Sequence, residues 1–245
     1  MTTILKLGGS VITDKETPET VDDDALGRAV DAVAESDVSG LVLVHGAGSF
    51  GHHYADKHGV TPSNGSRDAA GIWAIHDSMR RLNDEVVRRL QEADVPALPV
   101  HPLSVGARDA DSTLSLAADS TATMLAEGFV PVLHGDVIAQ IDAGATIISG
   151  DELVAHLARE VDADRVGLCS TVPGVYDESG AVVPRITDLD DVADALGGAE
   201  TTDVTGGMAA KVRALLELGA PASIFGPDVL DGFLAGHSVG TVVDG

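Results

Sequence analysis

The sequence predicts an α/β fold: a mostly parallel sheet with helices covering both faces. Three observations carry this. Short apolar strands alternate with amphipathic helices along the chain, the run "LVLV" is apolar at every position, and several strands end in glycine-rich turns.

In order, "TILKL" (3–7) is a strand that enters a glycine turn, followed by a helix over about 23–35. "GLVLVH" (40–45) is the second strand. A long helix follows over about 66–94, with Ile72, Ile75, Met79, Leu82, Val86 and Leu90 spaced as one buried face. "PALPVH" (96–101) is a strand, 117–127 a helix, and "FVPVLHG" (129–135) another strand. "VIAQIDAGATIIS" predicts a hairpin turning at Asp142–Gly144. A helix at 151–161 leads to the buried strand "RVGLCS" (165–170), and "VYDESGAVVPRI" predicts a second hairpin turning near Ser179–Gly180. Helices at about 188–196 and 207–218 and the strands "ASIFG" and "GTVVD" close the chain. A functional division falls near residue 162, with 1–162 and 163–245 sharing one sheet in a single domain.

Composition narrows the class of function. The 245 residues carry 39 acidic against 15 basic side chains, a net charge of −24, and only four lysines. The acids are spread along the chain, which points to a solvated acidic surface suited to concentrated salt and argues against nucleic-acid binding. In such salt the self-repulsion is screened over a few ångströms. No apolar run approaches a membrane span, and "MTTILKLGG" has no basic region before its apolar stretch, so neither anchor nor signal peptide is expected. One cysteine, Cys169, excludes an internal disulfide and suits a reducing cytoplasm.

Where lysine is so scarce, those that remain are informative. Of Lys6, Lys15, Lys57 and Lys211, three lie in or beside glycine turns. In "KLGGSVITDK", Gly8 and Gly9 bare backbone N–H groups, Ser10 adds a hydroxyl, and Lys6 and Lys15 flank them. "HGAGSFGHHYA" (45–55) sets Ala47, Gly48 and two histidines at a strand end. "TTDVTGGMAAKV" (201–212) opens a helix at Gly207 with Lys211 one turn on, a place suited to phosphate. No Walker loop is present, and no acidic ribose ligand follows the spaced glycines, so a dinucleotide fingerprint is disfavoured.

Taken in order, "KLGGS", "HGAGSFGH", "SGDE" (149–152) and "DVTGGMAAKV" resemble the amino acid kinase superfamily over essentially the whole chain. The Ser-Phe-Gly-His run resembles the branch of archaeal isopentenyl phosphate kinases and the related fosfomycin kinases. The resemblance implies an αβα three-layer sandwich, a homodimer, an N-terminal half for the acceptor and a C-terminal half for ATP. By position it implies that Lys6, Leu7, Gly8, Gly9 and Ser10 hold the ATP phosphates, and that Lys15 meets the transferring group. Ala47, Gly48 and His52 would hold the acceptor phosphate or the adjoining β and γ phosphates, and Gly150 would close the acceptor pocket. Gly174, Asp177, Gly207 and Lys211 would lie on the nucleotide. Mg²⁺ would bridge β and γ; no protein ligand for it is assigned. Ala47 stands where the branch commonly has glycine.

A phosphate monoester has a second pKa of about 6, so near neutrality it is a nucleophile that needs no general base. What it needs is charge compensation, and His52 supplies an N–H donor that a carboxylate acceptor would not require. His53, turned about 100° away on a helix, is expected at the surface or in packing. His45 is expected to orient the turn. His134 and Asp136 either line the acceptor pocket or serve the strand end. Asp151 is expected to cap its helix and order Lys15. The acceptor's organic tail is expected against Ile72, Trp73, Ile75, His76 and Met79. The function expected is ATP-dependent phosphorylation of isopentenyl phosphate; a phosphonate kinase of the fosfomycin type and a non-catalytic nucleotide sensor are the alternatives.

Overall fold

Strand alternation sorts the central side chains onto two faces. In the computed structural model, which describes residues 1–192 and 207–245, Leu5, Leu7, Leu41, Leu43 and Val132 point into one core, and Ile4, Val42, Val44, Leu133 and Val166 into the other. These residues belong to β1 (Thr3–Leu7), β2 (Leu41–His45), β6 (Val130–His134) and β9 (Arg165–Cys169). With β3 (Ala97–Pro99), β10 (Arg185–Ile186), β11 (Ala222–Phe225) and β12 (Thr241–Val243) they form an eight-stranded sheet ordered β10-β12-β11-β9-β1-β2-β6-β3. Every pairing in it is parallel except β11 with β12.

Helices complete an αβα sandwich. The first core is closed by α1 (Gly9–Ile12), α2 (Asp23–Ala34), α4 (Ala69–Glu92) and α9 (Leu230–Leu234). The second is closed by α7 (Gly150–Glu160) and α8 (Gly207–Leu216), with α6 (Asp119–Ala126) packed beside it. The apolar face anticipated on α4 is buried at Ile75, Met79, Leu82, Val86 and Leu90, and Asp68 caps its start. Arg80, Arg81, Arg88 and Arg89 on this helix are all paired with acidic side chains. Among the described residues no helix is long and apolar enough to cross a membrane.

A second, four-stranded sheet lies outside the sequence expectation of one continuous sheet. It holds β4 (Gly106–Arg108), β5 (Leu114–Leu116), β7 (Asp136–Gln140) and β8 (Gly144–Ile148), in the order β5-β4-β7-β8. The hairpin of β7 and β8 turns through Asp142, at φ 65°, as expected. Strands of three residues such as β4 and β5 are too short to show a period of two, which is why they were not legible. The remaining helices are α3 (Gly48–His58) and α5 (Pro102–Val105).

Two further expectations are corrected. "VYDESGAVVPRI" makes one antiparallel bridge, Tyr176 to Val182, around a turn at Asp177–Gly180, and its last residues instead pair in parallel with β12. The strand at 96–101 is cut to Ala97–Pro99, because Pro102 starts α5. The helix expected at 188–196 is seen as a 3₁₀ turn, Leu189–Val192; its remainder lies outside the described residues, as do Thr205 and Gly206.

For function, the decisive feature is that β1 lies between β2 and β9. The chain leaves β1 to one side and returns on the other, so the carboxyl end of β1 is a topological switch point, where open α/β sheets bind ligands.

Candidate active site

At that switch point a cavity of about 450 Å³ opens at the ends of the central strands. Its wall includes Lys6, Gly8, Gly9, Ser10, Lys15 and the Gly46–Gly48 turn. The two glycine turns are pressed together backbone to backbone. A Cβ on Gly9 would lie 2.0 Å from the Gly48 nitrogen, and Gly48 has φ +51°, so a side chain at either position would force the turns apart. Glycine therefore has a packing reason here besides leaving N–H groups open.

One wall carries charges that are already paired. Lys6 extends to the face that α7 covers, and its ammonium lies 2.6 Å from Asp151 Oδ1. Lys211, from α8, approaches the other carboxylate oxygen at 3.9 Å. Asp151 thus holds two lysines that would otherwise repel each other. This corrects the expectation for Asp151: it neither caps α7 nor orders Lys15. The cap is Ser149, whose Oγ accepts from Glu152 N–H at 3.1 Å. Gly150 lines the cavity, and a Cβ there would meet Lys6 Cε at 3.0 Å. Behind this wall buried Arg108 joins Glu152 on α7 to Thr146 and the Ile147 carbonyl, fixing α7 to the small sheet.

The opposite wall carries charges without partners. Lys15 and His52 are exposed, and neither has a hydrogen bond or ion pair among the described residues. Both also border a second hollow of about 310 Å³ beside Ser49 and His53. His53 is exposed, as expected, with its ring edge-on to Tyr54.

Behind the cavity, outside its lining, lies a cluster of histidines. His45 and His134 end adjacent strands, face each other in register, and stack with ring centres 5.6 Å apart. Their Nδ1 atoms donate to the carbonyls of Gly46 (3.1 Å) and Gly135 (2.9 Å), which orients both turns. Burial, reinforced by His134, pushes the His45 imidazole down to about 3, and burial lowers His134 too, so both are neutral. Neutral His45 with Nδ1–H on Gly46 makes Nε2 an acceptor. Turning the Asn83 amide over supplies the donor, since its otherwise unpartnered Nδ2 then meets that nitrogen. His101 Nδ1–H continues the chain to His134 Nε2 at 2.9 Å. Buried Asp136 accepts from His76 and from the Val137 and Leu103 N–H groups while still touching the cavity.

The far end of the cavity is apolar, lined by Val60, Ile75, Met79 and Ile147. Of the side chains expected against an organic tail, Ile75 and Met79 reach it. Ile72 packs in the small cluster behind, His76 is taken by Asp136, and Trp73 is 58% exposed and outside the lining. Trp73 lies on the solvent side of α4, one position off its stripe, so its rarity was a misleading signal. Val60 and Ile147 had no motif to mark them.

Ala47, Gly48, Gly150 and Lys211 also line the cavity; Leu7, Gly174 and Asp177 do not. Leu7 is buried in the core. Gly174 packs against Thr241 and Val182, and Asp177 is exposed in its turn, accepting from Ser179 and Ala181. Gly207 begins α8, which brings Met208 and Lys211 to the cavity.

Among the described residues the lining is formally balanced: Lys6, Lys15 and Lys211 stand against Asp56, Asp136 and Asp151, in a chain of net charge −24. Three of the four lysines thus meet at one cavity that has one apolar end. The model of the amino acid kinase family matches residues 1–221. The chain belongs to the amino acid kinase family. An isopentenyl phosphate kinase of Haloferax volcanii is 63% identical over 243 residues, covering 99% of this chain and 98% of its own. One from Methanocaldococcus jannaschii is 32% identical over 261 residues, covering 100% and 99%. Among solved structures, an isopentenyl phosphate kinase superposes with a TM-score of 0.85 at 29% identity, covering 99% of this chain and all of the other. In this amino acid kinase the αβα sandwich and the parallel sheet are as the sequence predicted.

Proposed function

We propose that this kinase transfers the γ-phosphoryl group of ATP to the phosphate of isopentenyl phosphate, releasing isopentenyl diphosphate and ADP. The observation that carries it is the cavity itself, whose lining joins three lysines and His52, unpartnered among the described residues, to Val60, Ile75, Met79 and Ile147. A small anion with a short hydrocarbon tail matches that polarity, and the 63% identical relative is named for this activity.

The roles follow from where each group sits. The acceptor's phosphate oxygen attacks the γ-phosphorus as the bond to the β-bridging oxygen breaks, and no base is needed because the acceptor is already ionised. His52 donates an N–H to the acceptor phosphate, and Lys15 faces the transferring group. Lys6 and Lys211, held by Asp151, meet the nucleotide phosphates with Gly8, Gly9 and Ser10. Charges fixed before the reaction stabilise the transition state without reorganising during it. In this assignment residues 1–162 hold the acceptor and reach the ATP phosphates through the first glycine turn, and residues 163–245 hold the rest of the nucleotide.

Mg²⁺ carried with ATP would add further neutralisation of the phosphate charge. Among the described residues no group of three or more His, Cys, Asp or Glu is placed to hold an ion, so its ligands would come mainly from phosphate and water. The protein is taken to work in the cytoplasm as a homodimer, in line with the family resemblance.

The test is steady-state kinetics at high KCl with isopentenyl phosphate, dimethylallyl phosphate and fosfomycin as acceptors. Isopentenyl phosphate should give the highest kcat/KM. Faster turnover of fosfomycin would assign a phosphonate kinase, and ATP binding without turnover of any acceptor would assign a sensor.

A further inference from the structure

Lys15 is carried by a loop, residues 14–20, that leaves the molecule after α1 and returns before α2. The loop closes at its base through Asp14 N–H on the Thr20 carbonyl at 3.0 Å and the bridge of Thr13 with Val21. Lys15, Glu16, Thr17 and Pro18 are exposed, and the hydrogen bonds made by Glu16 and Pro18 stay within the loop. Nothing in the tip itself places Lys15 against the cavity.

Glu19 does. Its carboxylate accepts from Ser78 Oγ at 2.9 Å, from Tyr54 Oη at 3.3 Å and from the Arg81 guanidinium, while its N–H donates to the Ser49 carbonyl at 3.2 Å. The next residue, Thr20, exchanges two hydrogen bonds with the Ser49 hydroxyl. Ser49 and Tyr54 belong to α3, the helix of His52; Ser78 and Arg81 belong to α4, which walls the apolar end with Ile75 and Met79. Glu19 also has φ +50°, a left-handed conformation that a side chain other than glycine, asparagine or aspartate seldom adopts. A glycine would take that backbone without strain but would leave the hydroxyl of fully buried Ser78 unpaired. A salt bridge for stability alone would need only Arg81. Here three donors from two site-bearing helices converge on one carboxylate.

We propose that Glu19 is a positioning residue that sets Lys15 against His52 by clamping the 14–20 loop onto α3 and α4. The inference rests on Lys15 acting on the transferred group, as proposed above. Without the clamp the loop tip samples many positions, and displacements of about 1 Å at a reacting group can cost up to ~100-fold in rate.

The test is a double-mutant cycle in the full-length protein, comparing Glu19→Ala, Lys15→Ala and the double variant for kcat and for the KM of ATP. Glu19→Ala should lower kcat about tenfold and leave the KM of ATP within about twofold, whereas in the Lys15→Ala background it should add less than about twofold. The same fold-loss in both backgrounds, or no loss in the first, overturns the clamp while leaving Lys15 in its role. Unchanged turnover in Lys15→Ala overturns that role and the clamp with it. Glu19→Gln keeps an acceptor for Ser78 and guards against loss of folding; the same cycle with it should show a smaller, equally Lys15-dependent loss, and an additive loss counts against the clamp.

Discussion

The two walls of the cavity use the same kind of charge in opposite ways. On the α7 and α8 side, Lys6 and Lys211 share Asp151, and the group is largely buried, with the three side chains 12%, 22% and 19% exposed. On the α3 side, Lys15 and His52 are exposed and have no partner among the described residues. A paired, part-buried lysine is held in place before substrate arrives and loses little entropy on binding. An unpaired one is free to neutralise charge that appears only as the reaction proceeds. The difference suits the division of labour proposed above, in which one wall would receive the nucleotide and the other would meet the acceptor and the group in transit.

A large effect that would break this comparison is on the paired wall. Asp151→Asn removes the charge that reconciles Lys6 with Lys211, and kcat should fall by about 10²-fold while the KM of isopentenyl phosphate stays within about threefold. If kcat held within twofold, the pairing would be a bystander, and the walls would not differ in kind. The Glu19 cycle probes the opposite wall with an expected loss of about tenfold.

A smaller effect concerns the buried histidines behind the cavity. His45 is held neutral, with its pKa lowered to about 3 from 6.5 by burial and by His134. The unfolded chain therefore binds the extra proton first as pH falls. The stability that neutral His45 contributes is complete above about pH 6.5 and is lost progressively between there and pH 3, by up to about 1.4 kcal/mol per pH unit for one proton. Thermal melts at fixed high KCl should show the midpoint dropping as pH falls below 6.5. His45→Gln should flatten that slope, although it lowers stability at neutral pH. An unchanged slope would mean that His45 is not what acid attacks.

Much of this was legible in the sequence because the signals were covalent neighbours. Continuous apolar runs announce β1, β2 and β9, a 3.6-residue stripe announces α4, and glycine next to lysine marks the switch point. What was hidden depends on residues far apart in the chain. Asp151 lies 145 residues from Lys6, and no local spacing says which lysine it will hold. Glu19 reads as one more acid among 39 until the fold brings Ser78, Tyr54 and Arg81 around it. Trp73 shows the converse error, a rare residue that folding leaves at the surface. The two basic residues are used differently: the α4 arginines brace the helix against acids, whereas three of the four lysines line the cavity.

The central claim, that the wall of Lys15 and His52 serves the acceptor and the transferred group and does not bind the nucleotide, is tested most directly with His52→Ala. Turnover of isopentenyl phosphate and calorimetric ATP affinity would be measured on the same preparations at high KCl. The account predicts that kcat falls by about 10²- to 10³-fold while the ATP dissociation constant moves less than about twofold. Unchanged turnover would remove His52 from the mechanism, and a parallel loss of ATP affinity would place it on the nucleotide wall.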